Sequence, residues 1–179
     1  IVSSPDGRIG VDFEMKDGKP YYSVLYDGQV AIEPSALGLK TNMGDYTQNL
    51  TWDKEKILKG KTTGSYSLAS IKEGQAHSYE FNAAQLQFSR NARPAAQGNN
   101  RPQARRGNNG PVMEIEFRVS NRDVAFRYTV LTQGDTRSCV ISEEASTFQI
   151  PATALNFMAP QSNPMTGFAR TAPSYETRY

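Results

Sequence analysis

The chain has 179 residues, 37% hydrophobic and 21% charged, with nine Tyr and eight Phe, a balance that suits one globular unit with a substantial core and a tilt towards β structure. Its net charge of +2, single histidine (His77) and single cysteine (Cys139) exclude an internal disulfide, a His/Cys zinc cluster and a nucleophile with a choice of histidine bases. No apolar run approaches the roughly 20 residues that cross a bilayer as a helix, and no basic segment followed by an apolar stretch opens the chain. Either the protein is cytoplasmic or a leader has been removed, and a start at Ile1 rather than Met suits a trimmed chain.

In chain order, Ile9, Val11, Phe13 and Met15 alternate with polar or small residues, the period of a half-buried strand. Asp17-Gly18-Lys19-Pro20 interrupts, and Tyr22, Val24 and Tyr26 resume the alternation. Asp27-Gly28 is suited to a tight hairpin because both positions accept a positive φ. Val30 and Ile32 form a third strand that Glu33-Pro34-Ser35 ends. From Leu37 to Tyr79 the periodicity fades. Trp52 to Leu58 is compatible with two turns of helix, stopped by Gly60 and Thr62-Thr63-Gly64. Gln85 to Ser89 reads as a short strand.

Residues 91–111 differ in kind, being built from Asn, Gln, Gly, Pro, Ala and Arg. They contain nothing apolar enough to offset ordering entropy, which predicts a mobile Arg-rich loop at the tip of a hairpin. The acid-free span from Phe81 to Met113 holds Arg90, Arg93, Arg101, Arg105 and Arg106. Those five charges exceed the net charge of the whole chain, so the remainder is mildly acidic. Phe88 is the one aromatic beside the loop, too little for a single-strand nucleic-acid platform, so no nucleic-acid partner is expected.

Met113, Ile115, Phe117 and Val119 form a further apolar face, with Glu114, Glu116 and Arg118 opposite. Asn121-Arg122-Asp123 turns the chain, and Val124, Phe126, Tyr128 and Val130 return. Cys139 to Ile141 and Thr147 to Ile150 read as two short strands, with Cys139 as a small packed hydrophobe. Ala159 to Pro173 is extended and irregular. Many short alternating strands with turn signals predict an all-β antiparallel β-sandwich, spanning residues 1–179 as one domain.

Glu143-Glu144 is the one adjacent acidic pair, but neighbours on a strand point to opposite faces and do not clamp one bond, so no catalytic residue is assigned. Tyr21, Tyr22, Tyr26, Tyr66, Tyr79 and Trp52 offer either core packing or a sugar-stacking surface. Asn49-Leu50-Thr51 is a glycosylation sequon, meaningful only on a eukaryotic secretory route.

Five segments carry a family resemblance through their order and spacing: Ser4-Pro5-Asp6-Gly7, Asp17-Gly18-Lys19-Pro20-Tyr21-Tyr22-Ser23-Val24, Leu37-Gly38-Leu39, Asp123-Val124-Ala125-Phe126-Arg127-Tyr128, and the closing Ser174-Tyr175-Glu176. Together they resemble the N-terminal domain of glycoside hydrolase family 97, enzymes that cleave α-glycosidic bonds, α-glucosidases and α-galactosidases among them, in polysaccharide-degrading bacteria. The resemblance implies a β-super-sandwich related to galactose mutarotase, longer than this chain, which lacks roughly the last third of the family domain. It implies packing on a catalytic (β/α)8 barrel of the same polypeptide, with an oligosaccharide as substrate. It also implies that Glu176 is a calcium ligand reaching towards the active site, the other ligands coming from the barrel. A periplasmic or secreted location and an inert isolated fragment follow from the same resemblance. Tryptophan-rich segments usual in the family are replaced here, for instance by Leu155-Asn156-Phe157-Met158-Ala159-Pro160, and the Arg-rich loop is an insertion. The alternative is a stand-alone carbohydrate-binding or interaction module of sandwich fold.

Overall fold

A computed structural model describes residues 1–68, 76–90, 110–132 and 138–156. The Arg-rich loop, except its last two residues, and Glu176 lie outside these residues. The described chain is an antiparallel all-β sandwich, as the alternation requires.

The first sheet has the order β1 (Val2–Ser3), β2 (Ile9–Lys16), β3 (Lys19–Tyr26), β4 (Gln29–Ala36). In β2, Ile9, Val11 and Phe13 are buried while Asp12, Glu14 and Lys16 are exposed, so the period of two in the sequence is the period of burial. The β2–β3 and β3–β4 connections are two-residue turns with positive φ, Asp17 (51°) with Gly18 (73°) and Asp27 (49°) with Gly28 (78°). That geometry matches the twist of the flanking strands and explains why Asp-Gly stands at both hairpin turns. β4 does not end at Pro34. It runs to Ala36, and the register passes from Tyr22↔Ser35 to Val24↔Ile32. Pro34 sits in the extra length of this bulge, where a strand tolerates a missing N–H.

The second sheet contains β7 (Leu50–Trp52), β8 (Leu58–Ser67), β9 (Ala76–Arg90), β10 (Met113–Val119) and β11 (Val124–Val130). Its order is β11-β10-β9-β7, with β8 also paired to β9. β9 and β10 are antiparallel neighbours in the register Phe88↔Met113, so the strands flanking the Arg-rich loop do form the expected hairpin. At the other end of β10, the Ser120 hydroxyl oxygen accepts from the N–H groups of Arg122 and Asp123 at 3.1 Å each, closing the turn into β11.

Two sequence expectations change. The segment from Trp52 to Leu58 is not helical: β7 ends at Trp52, a single 3₁₀ turn spans Lys54–Lys56, and β8 begins at Leu58. Asp53 caps the turn, its carboxylate accepting from the Glu55 N–H at 3.0 Å. Thr62-Thr63-Gly64, read as a helix stop, lies inside β8, which pairs with β9 from Leu58↔Gln85 to Ser67↔Ala76. The strand expected over Gln85 to Ser89 is the buried half of a 15-residue strand.

The core lies between the two sheets. Val11, Phe13 and Tyr22 from one face meet Leu86, Phe88, Met113, Ile115 and Phe117 from the other, all buried. Phe13 joins the sheets edge-on to both Phe88 (5.6 Å) and Trp52 (4.8 Å), and Tyr22 meets Phe117 at 6.0 Å. Burial of each such aromatic side chain contributes about 2–3 kcal/mol. A smaller sheet, β12 (Ile141–Glu144), β5 (Leu39–Thr41) and β6 (Gly44–Asp45), lies in the order β12-β5-β6.

Candidate functional site

The sandwich fixes the backbone of residues 140–150, near the end of the described chain. Residues 140–150 run along β4 and β5 and are pinned at nearly every step. Val140 and Asn42 exchange two hydrogen bonds, the Val140 N–H donating to the Asn42 side chain at 2.9 Å and the Asn42 N–H to the Val140 carbonyl at 3.0 Å. The Ala145 N–H donates to the Gly38 carbonyl at 2.9 Å, and the Thr147 N–H to the Ala36 carbonyl at 2.9 Å. The Ala36 N–H donates in return to the Thr147 hydroxyl at 2.7 Å. Gln149 bridges to Glu33, its N–H donating to the Ser35 hydroxyl at 2.8 Å.

Two tyrosines tie this path to the core. The Tyr128 hydroxyl accepts from the Gly38 N–H at 2.9 Å and shares a 2.6 Å hydrogen bond with Ser146, which donates to Glu144 at 3.0 Å. Burial raises the Tyr128 hydroxyl above its ordinary pKa, against the lowering effect of its bonds to Ser146 and Gly38. Tyr22 donates to the Thr147 carbonyl at 3.1 Å, and burial, helped by Tyr128, pushes it up to about 12. Both phenols are therefore neutral at physiological pH and act as fixed donors or acceptors rather than as acids. Phe148 completes the attachment, stacking on Phe126 at 6.1 Å and meeting Tyr22 edge-on at 6.3 Å over a cleft of about 370 Å³ between β3, β4 and β11.

Glu143 and Glu144 are adjacent on β12 and separately engaged. Glu143 pairs with Lys40 at 2.8 Å, which raises the Lys40 ammonium above its usual range, and Glu144 accepts from Ser146. Asp45 is pushed up by burial, but bonds from Thr47 and Gln48 outweigh this and hold it low, so it serves its own turn. Among the described residues no three His, Cys, Asp or Glu side chains converge as a metal site. Calcium takes six to eight oxygen ligands, so this part of the domain does not fit the ion alone. Glu176, the residue singled out by resemblance, lies outside the described residues.

Other candidates separate cleanly. Cys139 is exposed and outside β12, a correction to its reading as a packed strand residue; the apolar run Cys139-Val140-Ile141 lies on the surface, where Val140 and Ile141 are exposed too. The strand expected over Thr147 to Ile150 is reduced to the Gln149 bridge. Of the six aromatics, Tyr22 is core, Trp52 packs on Phe13, and Tyr66 and Tyr79 are exposed on the β8–β9 hairpin. They do not form one surface. The anchoring by Tyr128 and Ser146 was not visible in the sequence, where Tyr128 reads only as one more apolar strand position.

Comparison with known proteins settles the class. A family model described as glycosyl-hydrolase 97 N-terminal matches residues 2–179, and the chain belongs to that family. Its fold is shared with a β-arabinopyranosidase crystal structure at 33% identity and a TM-score of 0.76, covering 99% of this chain and 25% of that one. A glycoside hydrolase family 97 enzyme from Pseudoalteromonas sp. strain K8, solved in complexes with panose and with acarbose, has the same fold at 22% identity and a TM-score of 0.65, with 84% of this chain and 20% of that one covered. The chain thus spans a quarter or less of these enzymes. Among the described residues no helix is long and apolar enough to cross a membrane.

Proposed function

We propose that this is the non-catalytic N-terminal domain of a calcium-dependent glycoside hydrolase, packing on a catalytic (β/α)8 barrel and contributing Glu176 to the calcium there. The observation that carries this reading is the extent of the family match, which runs through Ser174-Tyr175-Glu176 to Tyr179. The pinned path of residues 140–150 supports it, because a ligand lent to another domain needs a firm base from which its segment leaves. One glutamate supplies too few oxygens for calcium, so the chain alone binds the ion poorly and the barrel provides the remaining ligands. Glu176 then acts by helping to fix the ion's position.

The substrate is an oligosaccharide. An α-glucoside, an α-galactoside and a β-arabinopyranoside form the panel to assay, the last because of the 33% identical β-arabinopyranosidase. A periplasmic or secreted location accompanies this reading, since polysaccharide fragments are met there, and cell fractionation checks it. Co-expression with the barrel, comparing wild type with Glu176→Gln on the panel, tests the function. Loss of activity that added calcium partly restores is expected, and unchanged activity and calcium dependence would remove the assignment.

A further inference from the structure

The outward face of the β8–β9 hairpin carries rings in register. Tyr66 lies opposite His77, Gly64 opposite Tyr79 and Thr62 opposite Phe81. Tyr66 and His77 stack at 5.5 Å, Tyr66 and Tyr79 are 6.5 Å apart, and Tyr79 and Phe81 are parallel to within 9° at 6.0 Å. The Arg118 guanidinium sits 4.9 Å from the Phe81 ring centroid and is held by Glu116 at 3.1 Å. These rings border a shallow groove of about 930 Å³ that reaches the turn of Asn121, Arg122 and Asp123.

We propose that this face binds an uncharged oligosaccharide chain. Tyr66 is 50% and Tyr79 44% exposed, so these rings are presented to solvent rather than packed in the core. Aromatic faces with a polar edge suit the apolar ring faces and peripheral hydroxyls of sugars. Successive rings 6.0–6.5 Å apart offer one stacking surface per sugar unit along a linear chain. Charge selects the class of ligand. Glu116 pairs with both Arg118 and Arg127, and Arg122 is flanked by Asp123, so three guanidiniums face two carboxylates and the face lacks the run of unpaired cations that a polyanion such as nucleic acid needs. The same groups remain as hydrogen-bond donors and acceptors for hydroxyls. This binding is independent of Glu176 and of calcium, so either assignment survives failure of the other.

The test is an amide-resolved NMR titration of the full chain with panose and with maltohexaose. Saturable shifts at Tyr66, Tyr79 and Arg118, with a Kd on the order of millimolar, are expected. Tyr66→Ala and Tyr79→Ala should each weaken binding about tenfold, whereas Tyr79→Phe retains it. Tyr66→Ala guards against a folding artefact, because Tyr66 is half exposed and its ring pairs with the neighbouring rings of His77 and Tyr79 rather than with the core. Absence of saturable shifts, or binding that survives both alanine variants, would overturn the proposal. So would concentration-dependent self-association that the alanine variants abolish, since the face would then join two copies of the chain.

Discussion

Tyr79 lies over Gly64 on the neighbouring strand so closely that a Cβ at residue 64 would stand 2.5 Å from the ring's Cζ and hydroxyl oxygen. A glycine inside a strand is normally a weakness, and here the ring covers it. Its backbone is not in the left-handed region, so the constraint is space rather than φ.

Gly64→Ala therefore displaces the Tyr79 ring without unfolding the hairpin. The backbone gain of about 0.5–1 kcal/mol for alanine over glycine roughly offsets the lost ring contact. The melting temperature should stay nearly constant while the Tyr79 ring resonances shift and sugar binding falls. Ring positions unchanged in the variant would contradict this geometry.

Tyr128→Phe leaves the Gly38 N–H and the Ser146 hydroxyl without their shared partner. Leaving such partly buried groups unsatisfied costs about 1–3 kcal/mol. Urea denaturation should show a loss of that size, and hydrogen exchange at Gly38 and Ala145 should quicken, because both lie on the path that Tyr128 anchors. A variant as stable and as protected as wild type would refute the anchoring role.

High pH probes Tyr22. Its folded pKa of about 12 lies above the ordinary 10.0, with burial as the main cause. The unfolded chain therefore loses this proton first. The stabilisation is fully present below pH 10.0 and disappears as pH rises towards 12. Tyr22→Phe should flatten the fall in stability across that interval, although Tyr128 still contributes to it. An unaltered slope would show that Tyr22 is not shielded.

Deleting Ala95 to Asn109 should leave the melting temperature within a few degrees, because loop closure depends only weakly on length. The flanks are already fixed, with the Val112 N–H donating to the Phe88 carbonyl at 2.7 Å. Collapse of the fold would show that the arginines bridge to the acidic remainder.

Where one face of a strand is buried, the sequence showed it. Ile9, Val11 and Phe13, and Met113 to Val119, alternate because each strand has the core on one side and water on the other. β8 was illegible because Gly64 alone of its ten residues is even partly buried, so no period was imposed on Leu58 to Ser67. Cys139-Val140-Ile141 misled in the opposite way, being apolar yet exposed. The site divides similarly. Glu176 is recognisable only by resemblance, since one carboxylate has no spacing to read. The bonds joining Tyr128, Gly38 and Ser146 link residues 18 and 90 positions apart, which no local pattern encodes.

Calcium titration of the barrel-containing protein by calorimetry tests the central claim most directly. Wild type should bind with one saturable site, and Glu176→Gln should weaken it by about tenfold or more, as expected when one carboxylate ligand is lost. Equal affinity in the two proteins would contradict the assignment of Glu176 as a calcium ligand.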